Sequence, residues 1–514
     1  MSDRAPIAPA PPLATDYAAP DFARHLAGLA QRRGIQAAKL PGGHVPARGP
    51  VDAAPEPTLP ALAWVCALRA GGAVTLRHGP AVETLPGAVV EGVWDGPFTL
   101  AALRASGLRT ASGVAFDPDG PTFLPARNAH DPLWVLHAEG PRATFVSNSA
   151  VAVLEAAGLP GDHPFARGVA ETIVDRSHEA NVAGCDHHDP LVRTGDGHRL
   201  HRMMLYDFAV DHAGRFRVDP CPPDPSPADF AGYRAMLAGA TARTLANAAD
   251  PARRRRLDPV APISNGYDSP AVAVLGAEAG LRETVTLDVV ANGVTDRGDA
   301  IARALGLDCH VVAHRHGREP IGRQAPLDPD ALEDHAEFLA TQGIGDDVAF
   351  LTMAPHLEGR CVLLGTMGDS VWNRRARLAP GLPVRSFFGR SHGEFRLRIG
   401  AAFVPVPAFG ARWPAPISAL SDAPEMAPWQ VGGPYDRPIP RRIVEEAGVP
   451  RGAFGVRKAA AHPLIADHRA RKAEAIALIR RRYAAIRDLG ADAATAPAAR
   501  PPGPAARLLA RLRG

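Results

Sequence analysis

The pattern of residues 257–366 constrains the fold more than any other feature. Short β-rich runs alternate there with helical patterns, and the runs cover residues 259–263, 283–290, 308–314 and 360–366. Parallel strands need long crossover connections, which are usually helices, so this alternation is typical of a parallel sheet. The sequence therefore predicts an α/β domain, with a parallel sheet that carries helices on both faces.

Composition divides the rest of the chain. A length of 514 residues favours two domains plus tails. We predict a Pro/Ala-rich arm over 1–60, a mostly strand-like domain over 61–218, a Pro-rich linker over 219–229, the α/β domain over 230–484 and a basic Pro/Ala-rich tail over 485–514. The linker is the clearest of these boundaries, because five prolines fall between residues 219 and 230.

Three shorter patterns predict local structure. Residues 132–148 read as two strands around a Gly-Pro turn, and residues 194–210 as a turn followed by one continuous strand. Apolar residues recur at helical spacing over 233–250. In the segment 393–398, charged and apolar residues alternate as in an exposed strand, and a substrate-facing role for its charges stays open.

Charge and cysteine content narrow the class of protein. The net charge is only +3 and there is no basic stripe, so we expect no nucleic-acid partner. Five scattered cysteines without a CxxC pair favour a reducing compartment. The sequence lacks a signal-peptide pattern and an apolar run of about 18 residues, so we expect a cytoplasmic protein without a transmembrane segment. A homodimer is compatible with the sequence.

The turn over residues 264–269 carries the chemistry that most needs explaining. It follows the β-rich run 259–263, and ligands of parallel sheets bind outside the carboxyl ends of the strands. A glycine-bearing turn before a helix directs backbone N–H groups at an anion, and the hydroxyls of Ser264 and Ser269 can add hydrogen bonds. Asp268 would repel a bare phosphate unless a divalent cation lay between them. The turn therefore predicts a nucleotide pyrophosphate site, although an ordinary helix cap is the alternative.

Two common nucleotide motifs are excluded. The chain has only three lysines, Lys39, Lys458 and Lys472, and none follows a glycine. A GK[ST] phosphate loop therefore cannot occur. No GxGxxG closes the first strand-to-helix turn either, so a dinucleotide site is not indicated.

The segment SNGYDS (264–269) does resemble the SGGxDS loop of the PP-loop ATP pyrophosphatases. Its surroundings are similar to asparagine synthetase and β-lactam synthetase, and three further matching segments follow in order: 286–312, GTMGDSVW (365–372) and PRGAFGVRKAA (450–460). The resemblance covers roughly residues 130–460 and is strongest at 257–313. It implies a PP-loop, adenine nucleotide α-hydrolase-like sheet, preceded by a degenerate glutaminase-like α+β domain.

The resemblance also assigns roles to individual residues. ATP would be bound by Ser264, Asn265, Gly266, Asp268 and Ser269, Mg²⁺ by Asp268 and Asp369, and the catalytic residues would be Lys458 and Asp369. Lys458 would stabilise charge that develops during acyl transfer. The implied reaction cleaves ATP to AMP and pyrophosphate while a small-molecule carboxylate is adenylated and then attacked by an amine. The identities of the acid and the amine stay open.

Some residues depart from the family pattern. Asn265 replaces a glycine of SGG, Thr366 and Ser370 replace two carboxylates of the family's GDGGDE turn, and Pro262 removes a donor from a central strand. A family glutaminase needs a cysteine directly after the initiator Met, and Ser2 stands there, so we expect no glutaminase activity.

Three functions therefore stay open. The first is an asparagine synthetase-like, ATP-dependent, AMP-forming amide-bond ligase without glutaminase activity. The second is a catalytically inactive ATP-binding pseudo-enzyme that acts as a scaffold or sensor. The third is a structural remnant with neither property.

Overall fold

A computed structural model of the chain describes residues 51–489 with internal gaps. The residues outside the described part are 1–50, 129, 140–142, 161–162, 164–189, 191, 220–225, 289, 292–293, 314–323, 326–331, 341–348, 375–391, 412, 434, 457–463, 466–467, 488 and 490–514. Lys458 is among them, and so is most of the predicted linker. Within the described residues, no helix is both long enough and apolar enough to cross a membrane.

The N-terminal region consists mainly of strands. They are β1 (Val51–Pro55), β2 (Trp64–Arg69), β3 (Val74–His78), β4 (Glu83–Leu85), β5 (Ala88–Glu91), β6 (Ser112–Asp117), β7 (Gly120–Leu124), β8 (Leu133–Ala138), β9 (Ala143–Ser147), β10 (Val192–Arg193), β11 (Arg199–Met203), β12 (Asp207–Val210) and β13 (Phe216–Asp219), with helices α1 (Leu100–Ala105) and α2 (Ala150–Ala156).

These strands form two sheets that pack face to face. One has the order β1-β3-β2-β9-β8-β11-β10 and the other β13-β12-β7-β6-β5-β4. Buried side chains of both sheets share one core, as Cys66 of β2 and Phe208 of β12 illustrate. Alternating inward-facing apolar residues are what such a two-layer core requires.

The predictions for this region have mixed outcomes. The hairpin over 132–148 is confirmed, since β8 pairs antiparallel with β9. The single strand over 194–210 is wrong: β11 and β12 lie in different sheets, because Leu205 between them adopts a left-handed backbone with φ of 70°. Residues 51–55, assigned to the arm by composition, instead pair with β3 as an edge strand.

The C-terminal region alternates strands and helices. Its strands are β14 (Pro259–Pro262), β15 (Glu283–Asp288), β16 (Val290–Ala291), β17 (Val294–Thr295), β18 (Asp308–Ala313), β19 (Gln324–Ala325), β20 (Cys361–Leu364), β21 (Ala402–Pro405) and β22 (Leu464–Ile465). Its helices are α3 (Phe230–Ala248), α4 (Asp268–Glu278), α5 (Asp299–Ala304), α6 (Leu332–Ala340), α7 (Ala349–Leu357), α8 (Gly368–Val371), α9 (Gly393–Ile399), α10 (Pro414–Asp422), α11 (Pro438–Glu446) and α12 (His468–Arg480). Short 3₁₀ segments cover Val406–Gly410, Pro424–Trp429, Arg451–Ala453 and Arg481–Ile486.

Five of these strands form a parallel sheet in the order β18-β15-β14-β20-β21. Strand β20 shows how both faces are covered. Cys361 and Leu363 belong to a core that includes α3 and α4, whereas Val362 and Leu364 belong to one that includes α6, α7 and α9. The predicted α/β class, with a parallel sheet and helices on both faces, is confirmed. The helix predicted over 233–250 is α3, which Asp229 caps.

The strand order reverses between β14 and β20, and we call the carboxyl ends of these two strands the crevice. The chain runs outward from β14 to β18, returns to the other side of β14 as β20, and so reverses direction between these two strands. Ligands of such sheets bind at the carboxyl ends of the strands at this point of reversal. Pro262 contributes locally: β14 pairs with β15 up to Pro262 but with β20 only up to Val260. Proline has no N–H to donate, so the two strands separate there.

The two regions meet through a polar junction. Arg396 of α9 pairs with Glu91 of β5 and with Asp131, and we call these three residues the junction triad. Glu394 of the same helix accepts hydrogen bonds from Ser149 (2.5 Å) and Tyr483 (2.6 Å). The strand pattern predicted for 393–398 is therefore wrong. This segment is a helix whose Glu394 and Arg396 are buried between the regions, where both are held by residues of the protein itself.

Candidate functional site

Two turns meet at the carboxyl ends of β14 and β20. The first covers residues 264–269 and leads into α4, and the second covers residues 365–370 and contains α8. Their contact is so close that a Cβ at Gly365 would lie 2.7 Å from the backbone nitrogen of Ser269. A Cβ at Gly368 would lie 2.3 Å from Cγ of Asp268. Both glycines are therefore needed for the two turns to meet.

The first turn brings two hydroxyls together at the start of α4. Oγ of Ser269 accepts a hydrogen bond from the backbone N–H of Ser264 (3.0 Å) and lies 3.1 Å from Oγ of Ser264. The backbone N–H of Gly266 donates to Ser264 Oγ (3.3 Å). No side chain caps α4 at Tyr267. The partial positive charge of this helix end thus lies beside both hydroxyls.

Asn265 points away from these serines. Its side-chain amide nitrogen donates to the backbone carbonyl of Thr295 in β17. The backbone carbonyl of Asn265 accepts a hydrogen bond from the backbone N–H of Gly455 (2.8 Å). Neither Asn265 nor Gly266 has a positive φ. Asn265 therefore fastens the turn at two points and does not crowd the serines.

Gly266 is not required by the packing of the protein. A Cβ there would lie 3.4 Å from Ser264 Oγ and from the hydroxyl oxygen of Tyr435, which is ordinary van der Waals contact. Because its φ is not positive either, an alanine would fit this turn. A Cβ at Gly266 would thus fit beside the hydroxyls of Ser264 and Tyr435, which border this position.

Tyr267 anchors the first turn to the C-terminal part of the region. It is fully buried, and its hydroxyl accepts a hydrogen bond from Arg441 of α11 (2.5 Å). Its ring contacts Tyr435 and Phe454, with centroids 4.7 Å and 6.0 Å away. The segment that ends at Gly455 is held on the turn in this way. Lys458, three positions further, is outside the described residues, and its role stays a prediction.

Arg437 connects the two predicted metal-binding carboxylates. It lies immediately before α11, and its two terminal nitrogens donate to Asp268 of the first turn and to Asp369 of the second. We call these three residues the crevice triad. The side chain of Arg437 is only 5% exposed, whereas those of Asp268 and Asp369 are 18% and 37% exposed. The two turns are thus joined by ion pairs that face the opening of the crevice.

Tyr435 borders the same opening. Its ring lies under the guanidinium of Arg437, with 5.0 Å between the carbon of the guanidinium and the ring centroid. Burial raises the pKa of its hydroxyl, and the negative charge of Asp268 raises it further. Tyr435 therefore stays a neutral hydrogen-bonding group beside the turn at physiological pH.

The donor types at the crevice fit Mg²⁺. This ion is usually bound through one or two carboxylates together with substrate phosphates, and Asp268 and Asp369 supply two such oxygens. Thr366 and Ser370 add no further carboxylate to the second turn. The guanidinium of Arg437 contacts both carboxylates, so an ion between them would have to take its place.

The sequence did not identify Arg437, Tyr435 or Arg441, since no motif contains them. One local signal existed for Arg437, which occupies the N-cap position of α11. Ser, Thr, Asp and Asn are preferred at an N-cap, and a cation there opposes the helix dipole. An arginine in this position therefore indicates an acidic partner elsewhere in the fold.

Neither a protein-family model nor a curated protein matches the sequence. Function must therefore be inferred from the geometry of the two turns. They offer hydroxyls, a helix N-terminus, a glycine that the packing does not require and two carboxylates, all at the reversal point of a parallel sheet. This combination suits a polyphosphate with its counter-ion.

Proposed function

We propose that this protein is an asparagine synthetase-like, PP-loop ligase that forms an amide bond with ATP and releases AMP and pyrophosphate. The observation that carries the proposal is the meeting of turns 264–269 and 365–370 beside the β14–β20 crevice. The turns resemble two signatures of that family, which are far apart in the sequence. Their contact in the fold supports their use as one site.

The phosphates of ATP would lie over the first turn. Ser264 and Ser269 would donate hydroxyl hydrogen bonds, and the N-terminus of α4 would add its partial positive charge. Gly266 supports this placement because neither its φ nor its contacts within the chain require a glycine at this position. A phosphate at that point could approach the backbone closely.

Asp268 and Asp369 would hold Mg²⁺ when the nucleotide is bound. The ion would neutralise phosphate charge and assist the departure of pyrophosphate. Lys458 would stabilise the charge that develops as the amine attacks the adenylated carboxylate. Gly455, which lies three positions before Lys458, is hydrogen-bonded to Asn265, and this contact supports a role for Lys458 near the turn.

The N-terminal region would be the counterpart of the family's glutaminase-like domain, without its activity. Its two sheets packed face to face support this comparison. The amine would then come from free ammonia or from the substrate itself. Cytoplasmic localisation and small-molecule substrates belong to the same proposal.

The crevice triad favours a second candidate, a pseudo-enzyme that binds ATP without cleaving it. Arg437 pairs with both of the carboxylates that a metal ion would need, and the second turn has Thr366 and Ser370 where the family has carboxylates. A site that cannot recruit Mg²⁺ would bind the nucleotide and leave it intact.

Product analysis with labelled ATP tests the proposal. Purified protein would be incubated with Mg²⁺ and pooled small-molecule acids and amines, and AMP and pyrophosphate would be quantified. We expect Asp268→Asn and Lys458→Ala to lower AMP formation by about 10²–10³-fold. Asp117→Asn is the matched control, because Asp117 also pairs with an arginine, Arg104, but lies at the end of β6 in the N-terminal region.

The outcomes separate the candidates. AMP formation that depends on Asp268 but not on Asp117 supports the ligase. Bound but intact ATP with every substrate pool supports the pseudo-enzyme. A wild-type protein that binds no ATP contradicts both, and leaves a structural role.

A further inference from the structure

The crevice triad holds one cation between two carboxylates that come from different turns. Each terminal nitrogen of Arg437 contacts one of the two carboxylates, so the guanidinium spans the gap between Asp268 and Asp369. Two negative charges and one positive charge leave the triad with a net charge of −1. A further cation would be attracted to it, but the position between the oxygens is already filled.

Arg437 is held in this place by its own segment. The carboxylate of Asp436, its neighbour, accepts the backbone N–H groups of Val431 and Gly432 (3.1 Å each) and pairs with Arg374 (3.0 Å). The ring of Tyr435 supports the guanidinium from below. These contacts therefore hold the arginine in the orientation in which it pairs with the carboxylates.

Separating Arg437 from its two carboxylates costs free energy. Its side chain is 5% exposed and lies at a helix N-terminus, where the dipole is unfavourable to a cation. A free divalent ion that captured both carboxylates would leave this buried guanidinium without a counter-ion, which is costly. Phosphate oxygens that arrive with the ion would supply the missing partner, since guanidinium binds phosphate well.

We infer that Arg437 is a resident cation that excludes free divalent ions from Asp268 and Asp369. It releases these two carboxylates only when a metal–polyphosphate complex binds. Every charged group keeps a partner of opposite charge in this exchange, because the ion binds the two carboxylates while Arg437 binds phosphate oxygens. The exclusion step needs only the three side chains of the triad. The exchange step rests on the proposed nucleotide site.

Binding of Mn²⁺ alone tests the exclusion step, measured from the electron paramagnetic resonance signal of the unbound ion. We expect no Mn²⁺ site in the wild type at ion concentrations where Arg437→Met binds one ion. The gain in affinity should be at least about tenfold, because the positive charge that lies between the two carboxylates is removed in the variant. The double variant Arg437→Met/Asp369→Asn should lose the new site, which would locate the ion in the crevice.

Arg437→Lys keeps the positive charge and serves as the control for folding and charge. It should bind Mn²⁺ more weakly than Arg437→Met, because the ammonium still competes for the carboxylates. Wild-type protein that binds Mn²⁺ alone as tightly as Arg437→Met would overturn the inference. A Mn²⁺ site in the wild type that Asp369→Asn removes would overturn the inference as well, and this measurement does not depend on the stability of the Arg437 variants.

The exchange step is tested by adding a non-hydrolysable ATP analogue. In the wild type, the analogue should raise the affinity for Mn²⁺ by a factor within the range of about 5–150-fold that is usual for coupled sites. In Arg437→Met, the increase should be smaller, because the arginine that passes from carboxylate to phosphate is missing. An equal increase in both proteins would overturn the exchange. If the analogue does not bind at all, the proposed function fails, while the Mn²⁺ measurements without analogue still decide the exclusion.

Discussion

The junction triad and the crevice triad have the same charges but different surroundings. Each contains one arginine, 5% exposed in both cases, that bridges two carboxylates. The carboxylates of the junction triad are 0% and 5% exposed, and those of the crevice triad are 18% and 37% exposed. Only the crevice triad lies at the carboxyl ends of the parallel strands.

The partners of the junction carboxylates explain why that cluster is structural. Glu91 also accepts a hydrogen bond from Ser112 (2.6 Å), and Asp131 accepts one from Asn128 (3.0 Å). Burial opposes ionisation of Asp131, yet the charge of Arg396 and its other partners hold the pKa of that carboxyl well below its usual range. A buried ion cluster with these additional donors fixes how two regions pack. The comparison shows that position and exposure, rather than charge composition, distinguish a ligand-facing cluster from a structural one.

The two triads should differ most in the free energy of unfolding that is lost when the arginine of each is removed. Arg396→Met leaves two buried carboxylates without a cation, so we expect it to lower the free energy of unfolding by about 3–5 kcal/mol. Arg437→Met leaves carboxylates that water can reach, and we expect a loss of about 1 kcal/mol or less. Urea unfolding of both variants gives the two values. Equal losses would remove the distinction between the triads.

Glycines beside the two triads provide a second contrast. Gly92, next to Glu91, has φ of 85°, and a Cβ there would lie 2.8 Å from Cα of Ala111. Gly92→Ala should therefore cost about 1–3 kcal/mol of stability. Gly266→Ala should leave stability within about 1 kcal/mol of the wild type, since its φ and contacts are compatible with alanine.

The same pair of variants separates stability from binding. Gly266→Ala should weaken ATP binding, because its methyl group occupies the space over the first turn. Thermal unfolding and ATP titration of both variants measure the two effects. A stable Gly266→Ala protein with unchanged ATP affinity would show that the space over the turn is not a phosphate site.

A third contrast is a pH dependence of stability that arises at the junction. Burial raises the pKa of Glu394 above its ordinary value of 4.5, even though Ser149 and Tyr483 donate hydrogen bonds to it. The folded state then holds this proton more tightly than the unfolded state does. The stability that Glu394 contributes is full below its ordinary pKa and is lost as pH rises through the raised pKa.

Glu394→Gln, which does not titrate, isolates this contribution. Relative to the variant, the wild type should lose about 1.4 kcal/mol of unfolding free energy for each unit by which the pKa is raised. Urea unfolding of both proteins at several values between about pH 5 and pH 8 measures the difference. A difference that stays constant across this range would contradict the raised pKa.

The sequence predicted the parts of the fold that local patterns determine. Strands β14, β15, β18 and β20 are short apolar runs between helices, and their alternation was enough to predict the parallel sheet. The turn 264–269 was also identified, because its hydroxyls and glycine are consecutive. Whether Lys458 belongs to the site stays a prediction.

The parts that could not be predicted depend on distant contacts. Arg437 is 169 positions from Asp268, and no periodicity connects them. The pattern around Arg396 predicts an exposed strand, because a seven-residue helix that is buried apart from Arg398 has no amphipathic pattern to distinguish it. In both cases the fold, rather than the local sequence, decides what the arginine contacts.

Hydrogen–deuterium exchange of the whole protein tests the central claim most directly. Exchange would be compared with and without Mg²⁺ and a non-hydrolysable ATP analogue. The account predicts slower exchange in peptides that cover residues 263–270 and 364–370, with no change at residues 128–131 and 393–399. Protection at the junction without protection at the two turns, or no protection anywhere, would contradict a nucleotide site at the crevice.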